Sequence, residues 1–156
     1  MNFVLKTFTK NLIPIIYNLD KTFYGETVTD GWYSRYVNRA KIVLCYYNNE
    51  LAGYLIVSRI TKNLYSDILN CKYSGDININ PNNFILKSHY YYLSSVLVLP
   101  EYQGSGIATK LQDIAFSEVL QNKKVCTICV TDGGESLAKK YLSFIGKCNN
   151  SKIYSN

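Results

Sequence analysis

The stretch His89–Pro100, HYYYLSSVLVLP, is a near-continuous apolar and aromatic run stopped by Pro100. A run of this length and composition reads as a strand. Gln103-Gly104-Ser105-Gly106 follows, and then Ile107, Ala108, Leu111, Ile114, Ala115 and Val119 form one helical stripe, with Lys110, Gln112, Asp113 and Glu118 off it. A strand that passes through a glycine turn straight into a helix sets the helix N-terminal amides beside the strand's C-terminal end. The first-turn N–H groups lack intrahelical partners and favour an anion. Glycines at 104 and 106 permit positive φ and let a ligand approach the backbone. The same glycines are also compatible with a flexible turn that binds nothing. The spacing is not that of a P-loop, because no Gly-Lys-Ser/Thr follows, and it is not Gly-x-Gly-x-x-Gly.

Other segments supply the layers around this unit. MNFVLKTF reads as a strand and KNLIPIIYNLD as a short helix with Pro14 in its first turn. The polar bend YGETVTD leads into DGWYSRYVNR, a second helix capped near Asp30. KIVLCYY and LAGYLIVSRI are β-rich, and Asn48-Asn49-Glu50 between them is hairpin chemistry. Residues 62–88 mix a helical piece at Leu64–Leu69 with a loop rich in Asn, Gly and Asp. KVCTICVT reads as a strand broken at Asp132-Gly133-Gly134. ESLAKKYLSFIG reads as a helix with Leu137, Tyr141, Phe144 and Ile145 on one side and Gly146 as its stop, and KIYS as a last strand. The expected fold class is α/β (α+β): one domain over 1–156 with a mixed, mostly antiparallel central sheet flanked by helices.

At 156 residues, 47% hydrophobic and 18% charged, the chain can bury a core without help from a metal. It has no apolar run long enough for a membrane span and no signal-peptide pattern, so a cytoplasmic protein without a membrane partner is expected. A net charge of +6 suits an anionic partner. The basic residues are scattered, however, and nucleic acid is not an expected partner. Five cysteines, an odd number, argue for a reducing compartment. Cys126 and Cys129 would sit on opposite faces of their strand, which excludes a redox or metal pair.

The stretch VLVLPEYQGSGIATKL resembles motif A of the GCN5-related N-acetyltransferases (GNAT). Gln103, Gly106 and Ala108 fill its defining positions, Gly104 is the usual extra glycine, and Pro100, Glu101, Tyr102 and Leu111 match its flanks. NNELAGYLIVS resembles the family's second hairpin, and ICVTDGGESLAKKYLSFIG its later strand and helix. The resemblance covers most of the chain and is weakest at 62–88, which look like an insertion between the third and fourth strands. It implies acetyl-CoA as co-substrate, with no metal. The pyrophosphate would lie on Gln103, Gly104, Ser105, Gly106, Ile107, Ala108 and Thr109. The pantetheine arm would run between splayed strands, with Val96, Leu97 and Val98 on one side and the strand around Val130 and Thr131 on the other.

Acyl transfer to an amine needs a route for the amine's proton and a proton for the leaving thiolate. The family's tyrosine on the last helix, four residues before the Gly, falls at Leu142 here, so Tyr141 is the candidate acid. The family's strand glutamate falls near Ser94, whose hydroxyl would order a water. His89 is a weaker candidate for the base, and Glu101 is expected to be a solvated or helix-end charge. For the acceptor, Tyr24, Trp32, Tyr33, Tyr36 and Tyr65 would wall a pocket, and Glu26, Asp30, Asp67 and Asp76 would hold a cation. No cysteine, Cys45 included, stands where an acyl-enzyme nucleophile is expected. The resulting expectation is acetyl-CoA-dependent N-acetylation of a primary amine on a small molecule or peptide by direct transfer. A non-catalytic acyl-CoA-binding regulatory domain is the alternative. A homodimer is compatible with the resemblance.

Overall fold

A seven-stranded sheet in the order β1-β2-β3-β4-β5-β7-β6 organises the molecule. The computed structural model describes residues 1–26 and 28–156; Thr27, in the polar bend, lies outside the described residues. β1 (Asn2–Thr7), β2 (Ala40–Tyr47), β3 (Glu50–Ile60) and β4 (Tyr90–Val98) form an antiparallel run. β5 (Lys124–Cys129) lies parallel to β4, and β7 (Ser151–Ser155) pairs antiparallel with both β5 and the edge strand β6 (Ser143–Cys148). The β2–β3 hairpin turns on Asn48 and Asn49, both with positive φ, a conformation that asparagine tolerates better than most residues.

Strand alternation produces two cores. Ile42, Leu44, Tyr54, Ile56 and Tyr92 face α1 (Ile13–Tyr24) and α2 (Lys62–Leu69), which contribute Ile16, Leu64 and Ile68. Val43, Leu55, Val57 and Tyr91 face α3 (Ile107–Glu118) and α4 (Asp132–Ala138), which contribute Ile107, Leu111, Ala115 and Ala138. Each fully buried large apolar side chain stabilises the fold by about 1.5–3 kcal/mol. Cys126 and Cys129 belong to opposite cores, as strand periodicity requires.

Several expectations are corrected. Asp30–Tyr36 is a 3-10 segment rather than an α-helix; its N-cap is Thr29, without a side-chain cap bond, and Asp30 is its first residue, accepting from the Gly31 N–H. Asp132-Gly133-Gly134 does not break a strand. It starts α4, capped by Thr131, whose Oγ1 accepts from the Gly134 N–H at 3.1 Å. That helix ends at Ala138, and the apolar residues beyond it form β6, where Phe144 is 57% and Ile145 47% exposed. A helical stripe and an exposed edge strand share the same spacing there, and pairing with β7 decides for the strand. Cys71 and Cys148 form a disulfide with a Cα–Cα distance of 5.3 Å, in contrast to the expected set of reduced thiols. Cys45, Cys126 and Cys129 are free and buried.

The feature that positions the site is a gap. β4 and β5 pair only from Tyr90–Lys124 to Tyr92–Cys126. One further link, Thr127 Oγ1 donating to the Leu93 carbonyl at 2.9 Å, closes the apex. Beyond it β5 stays with β7, while β4 stays with β3, and the two diverge. At the apex β4 bulges, because Ile56 faces Ser95 and Val57 faces Leu93, leaving Ser94 as the extra residue. Gly53 makes the β3–β4 contact possible: a Cβ there would meet the Leu97 carbonyl oxygen at 2.7 Å.

Candidate active site

Leu99, Pro100 and the 3-10 turn Pro100–Tyr102 end β4 and deliver the chain into the glycine turn. Gly104 and Gly106 take φ of 77° and 81°, where a β-carbon would be strained, and nothing lies within 4 Å of either Cα substituent position. Gly106 is the N-cap of α3 and brings no side chain to satisfy the helix. Among the described residues, the N–H groups of Gly106, Ile107, Ala108 and Thr109 have no acceptor outside the helix, and Lys110 is the first to bond back, to the Gly106 carbonyl. Four aligned donors with a helix dipole behind them are an anion seat. Gln103 braces the turn by donating from Nε2 to the Val98 carbonyl at 3.0 Å, and Ser105 Oγ donates to the Tyr102 carbonyl.

From this seat a groove of about 320 Å³ runs along Val96, Leu97, Val98, Gln103 and Ala108, with Gly133 and Gly134 of α4 opposite. Ile107 is buried in the core, so it offers only its N–H, and Ser105 and Thr109 lie exposed beside the seat. The far wall is not a strand around Val130 and Thr131, as expected. β5 has ended at Cys129, Val130 is exposed, and Thr131 caps α4. The unpaired β4 backbone on one side and the start of α4 on the other bound a slot for an extended, amide-bearing chain.

The groove opens past Tyr24, Val96, Thr131, Gly134 and Leu137 into a chamber of about 380 Å³. The chamber passes through the gap to both faces of the sheet. On the α1 face it is walled by Tyr24, Trp32, Tyr33 and Tyr36, all expected there, with Asp20, Asp76 and Ser94. Asp20 is the principal residue that sequence reasoning missed. It rides on α1 and accepts from Tyr33 Oη at 2.5 Å through Oδ2 and from Tyr54 Oη through Oδ1. Tyr54 Oη in turn lies 3.2 Å from Ser95 Oγ. Burial pushes the Asp20 carboxyl up, and the two tyrosine hydrogen bonds only partly offset it. Burial also raises Asp76, with Arg35 opposing and Asp20 adding to the rise.

Arg35, also missed, holds this wall together. Its guanidinium lies 4.2 Å from the Trp32 ring and donates to the Ile79 carbonyl at 3.1 Å, joining the 3-10 segment to residues 76–79. Ser94 Oγ sits 2.8 Å from Ser58 Oγ. Tyr36 and Tyr54 are buried and pushed well above the ordinary phenol range by desolvation, so both stay protonated.

The remaining candidates lie elsewhere. Tyr141 follows α4 in a turn, stacks on Phe116 with centroids 4.2 Å apart and donates to Asp113, away from the chamber. The family's tyrosine position, Leu142, is buried in the α3-side core. Tyr65 bonds Ser155 in the core, Glu26 pairs with Lys21, Asp67 pairs with Lys72, and His89 is exposed at the start of β4. Cys129 also lines the chamber. Burial pushes its thiol up to about 11, with Glu135 adding, and so keeps it a thiol rather than a thiolate. Among the described residues no group of His, Cys, Asp and Glu could hold a metal ion, and no helix is long and apolar enough to cross a membrane.

The resemblance implies a phosphate at a helix N-terminus and an extended arm beside an unpaired β4; the structure has such a helix N-terminus and such a strand, with the start of α4 in place of the expected facing strand. The acetyltransferase (GNAT) family model matches residues 13–141. The chain belongs to the GNAT acetyltransferase family. Its members are acyltransferases that take acetyl-CoA as co-substrate. Solved GNAT structures share the fold over almost the whole chain. The S18-alanine N-acetyltransferase of Escherichia coli superposes with a TM-score of 0.67 at 10% identity, covering 99% of this chain and 92% of that one. The loading GNATL domain of CurA from Lyngbya majuscula gives 0.66 at 12% identity, covering 99% and 97%. Arabidopsis thaliana NAA60, solved with acetyl-CoA, gives 0.65 at 12% identity, covering 99% and 98%. No curated protein sequence matches this GNAT chain.

Proposed function

We propose that the protein moves an acetyl group from acetyl-CoA to the primary amine of a small molecule or peptide, by direct transfer within a ternary complex. The observation that carries this reading is the continuity of two spaces. A backbone-lined groove starting at the α3 N-terminus opens into a chamber that holds two half-buried carboxylates. The pyrophosphate sits on the free N–H groups of Gly106 to Thr109, and the pantetheine arm takes its hydrogen bonds from β4 between Ser94 and Val98.

An amine reaches the chamber as an ammonium, drawn by Asp76 and by the faces of Trp32 and Tyr33. Asp20 is the base. Its raised pKa makes it a stronger proton acceptor than an exposed carboxylate, and the tyrosines fix its orientation. Ser94, freed by the bulge, orders a water on the proton's way. The neutral nitrogen then attacks the thioester carbonyl carbon, the C–N bond forms, and the C–S bond breaks with its electron pair leaving on sulfur. Tyr24 stands where groove and chamber meet, and its pKa is raised by burial and by Asp20, so it is protonated and placed to supply the thiolate's proton. In this reading Tyr24 takes the role expected of Tyr141. The protonated Cys129 argues against an acyl-enzyme. A cytoplasmic location, where acetyl-CoA is supplied, suits this reading, although the Cys71–Cys148 disulfide does not argue for it.

The test is acetyl-CoA binding by calorimetry, followed by thiol release across polyamines, aminoglycosides, amino acids and N-terminal peptides. Thiol release with at least one amine class is expected. Heat of binding without release on any class would favour a non-catalytic acyl-CoA-binding domain, and no heat at all sinks both readings.

A further inference from the structure

Gln112 is 1% exposed, and its side chain makes no hydrogen bond among the described residues; its Oε1 is a buried acceptor without a donor. Its residue type suggests a polar surface position, but it lies four residues after Ala108 and three before Ala115, at the edge of the buried stripe of α3. Instead it faces the gap, and it lines the chamber with Leu93, Cys129, Leu137 and Ala138 on the α3 side of the sheet. A buried amide left without partners is costly and calls for a reason. The protein groups nearby are committed: Thr127 Oγ1 donates to the Leu93 carbonyl.

The chamber's two lobes differ in chemistry. The α1-side lobe holds Asp20 and Asp76 and suits a cation. The α3-side lobe has no carboxylate, and apart from Gln112 and the Thr127 hydroxyl, which is held by the Leu93 carbonyl, it is lined by apolar side chains and a protonated thiol. The donor groove reaches Ala108 and Leu137 but not Gln112, so the arm's own amides lie short of this side chain. What extends past Val96 into the α3-side lobe is the acyl group. An acetyl methyl would leave the Gln112 Oε1 without a donor. A hydroxyl supplies that donor and can also accept from Nε2.

We propose that the α3-side lobe is an acyl pocket and that Gln112 makes it selective for short acyl groups, longer than acetyl, that carry a hydroxyl. This rests on the acyl-CoA reading of the groove. The transfer itself is unchanged: the amine nitrogen bonds the acyl carbon and the CoA thiol departs.

Binding of CoA, acetyl-CoA, butyryl-CoA and 3-hydroxybutyryl-CoA by calorimetry tests it without a known acceptor. The wild-type protein should bind 3-hydroxybutyryl-CoA about tenfold more tightly than butyryl-CoA. Gln112→Leu should reverse that order while keeping the melting temperature and the affinity for CoA itself. A ratio within about twofold in the wild type, or an equal change for every acyl-CoA in the variant, overturns the inference and leaves the acyl-CoA reading standing. If CoA itself fails to bind, the reading of the groove fails as well.

Discussion

The two ends of the site are made from different materials. In the proposed reading the donor end is backbone: four helix N–H groups, two glycines with positive φ and a stretch of β4 unpaired on its β5 side, all between Ser94 and Thr109. The acceptor end is side chains brought from α1, the 3-10 segment, β3, residues 76–79 and the β4 bulge. A backbone site asks little of its residues beyond φ and spacing, so one contiguous stretch can specify it. A side-chain site asks for particular groups at particular depths, which only the folded chain assembles. The donor is therefore common to a family, while the acceptor is particular to each chain.

Mutations can break this contrast in order of effect. Asp20→Asn should lower kcat by about 10²–10⁴-fold and leave the acetyl-CoA affinity intact, measured by thiol release and calorimetry. The wild-type rate should fall on acidification through a value above the ordinary carboxylate range, and the variant should lose that limb. Stability moves the other way. The folded pKa lies above the unfolded one, so the penalty for charging Asp20 is absent below about pH 3.8 and complete above the folded value. The melting temperature of Asp20→Asn should accordingly exceed wild type at neutral pH, by a margin that vanishes in acid. Gly106→Val should weaken acetyl-CoA binding by roughly ten- to a hundredfold with kcat at saturation little changed, because a β-branched residue strains at that φ. Asp76→Asn should raise KM for a cationic amine by about tenfold and spare acetyl-CoA. At the small end, Tyr141→Phe should change kcat by less than about twofold, since its hydroxyl serves Asp113. A large loss there would move the acid back to the end of α4.

This contrast also explains what the sequence could reveal. The strand–turn–helix unit was legible because Pro100, the glycines and the stripe from Ile107 act locally. Tyr24, Trp32, Tyr33, Tyr36 and Asp76 were legible as candidates through residue type. Asp20 was not, because its value comes from Tyr33 and Tyr54, the latter on β3, and no short spacing records that meeting. Gln112 was hidden by its residue type, since a glutamine at the edge of the stripe reads as surface although its spacing to Ala108 and Ala115 is that of the buried face. β6 was misread because Tyr141, Phe144 and Ile145 have helical spacing, and the choice was made by β7, which follows them in the chain.

The β4–β5 gap has a consequence for the protein before any reaction. Its β4 backbone is an unfinished edge in the middle of a sheet, and β5 cannot swing over to finish it without leaving β7. In the proposed reading an acyl-CoA arm would act as the missing strand, so the co-substrate would complete the sheet. At a hundred times its Kd, such a ligand adds about 2.7 kcal/mol of stability by mass action alone. A fall in the cell's acyl-CoA supply would then do more than slow turnover. It would leave a sticky strand edge open to other chains, and the amount of intact protein would follow the supply of its donor.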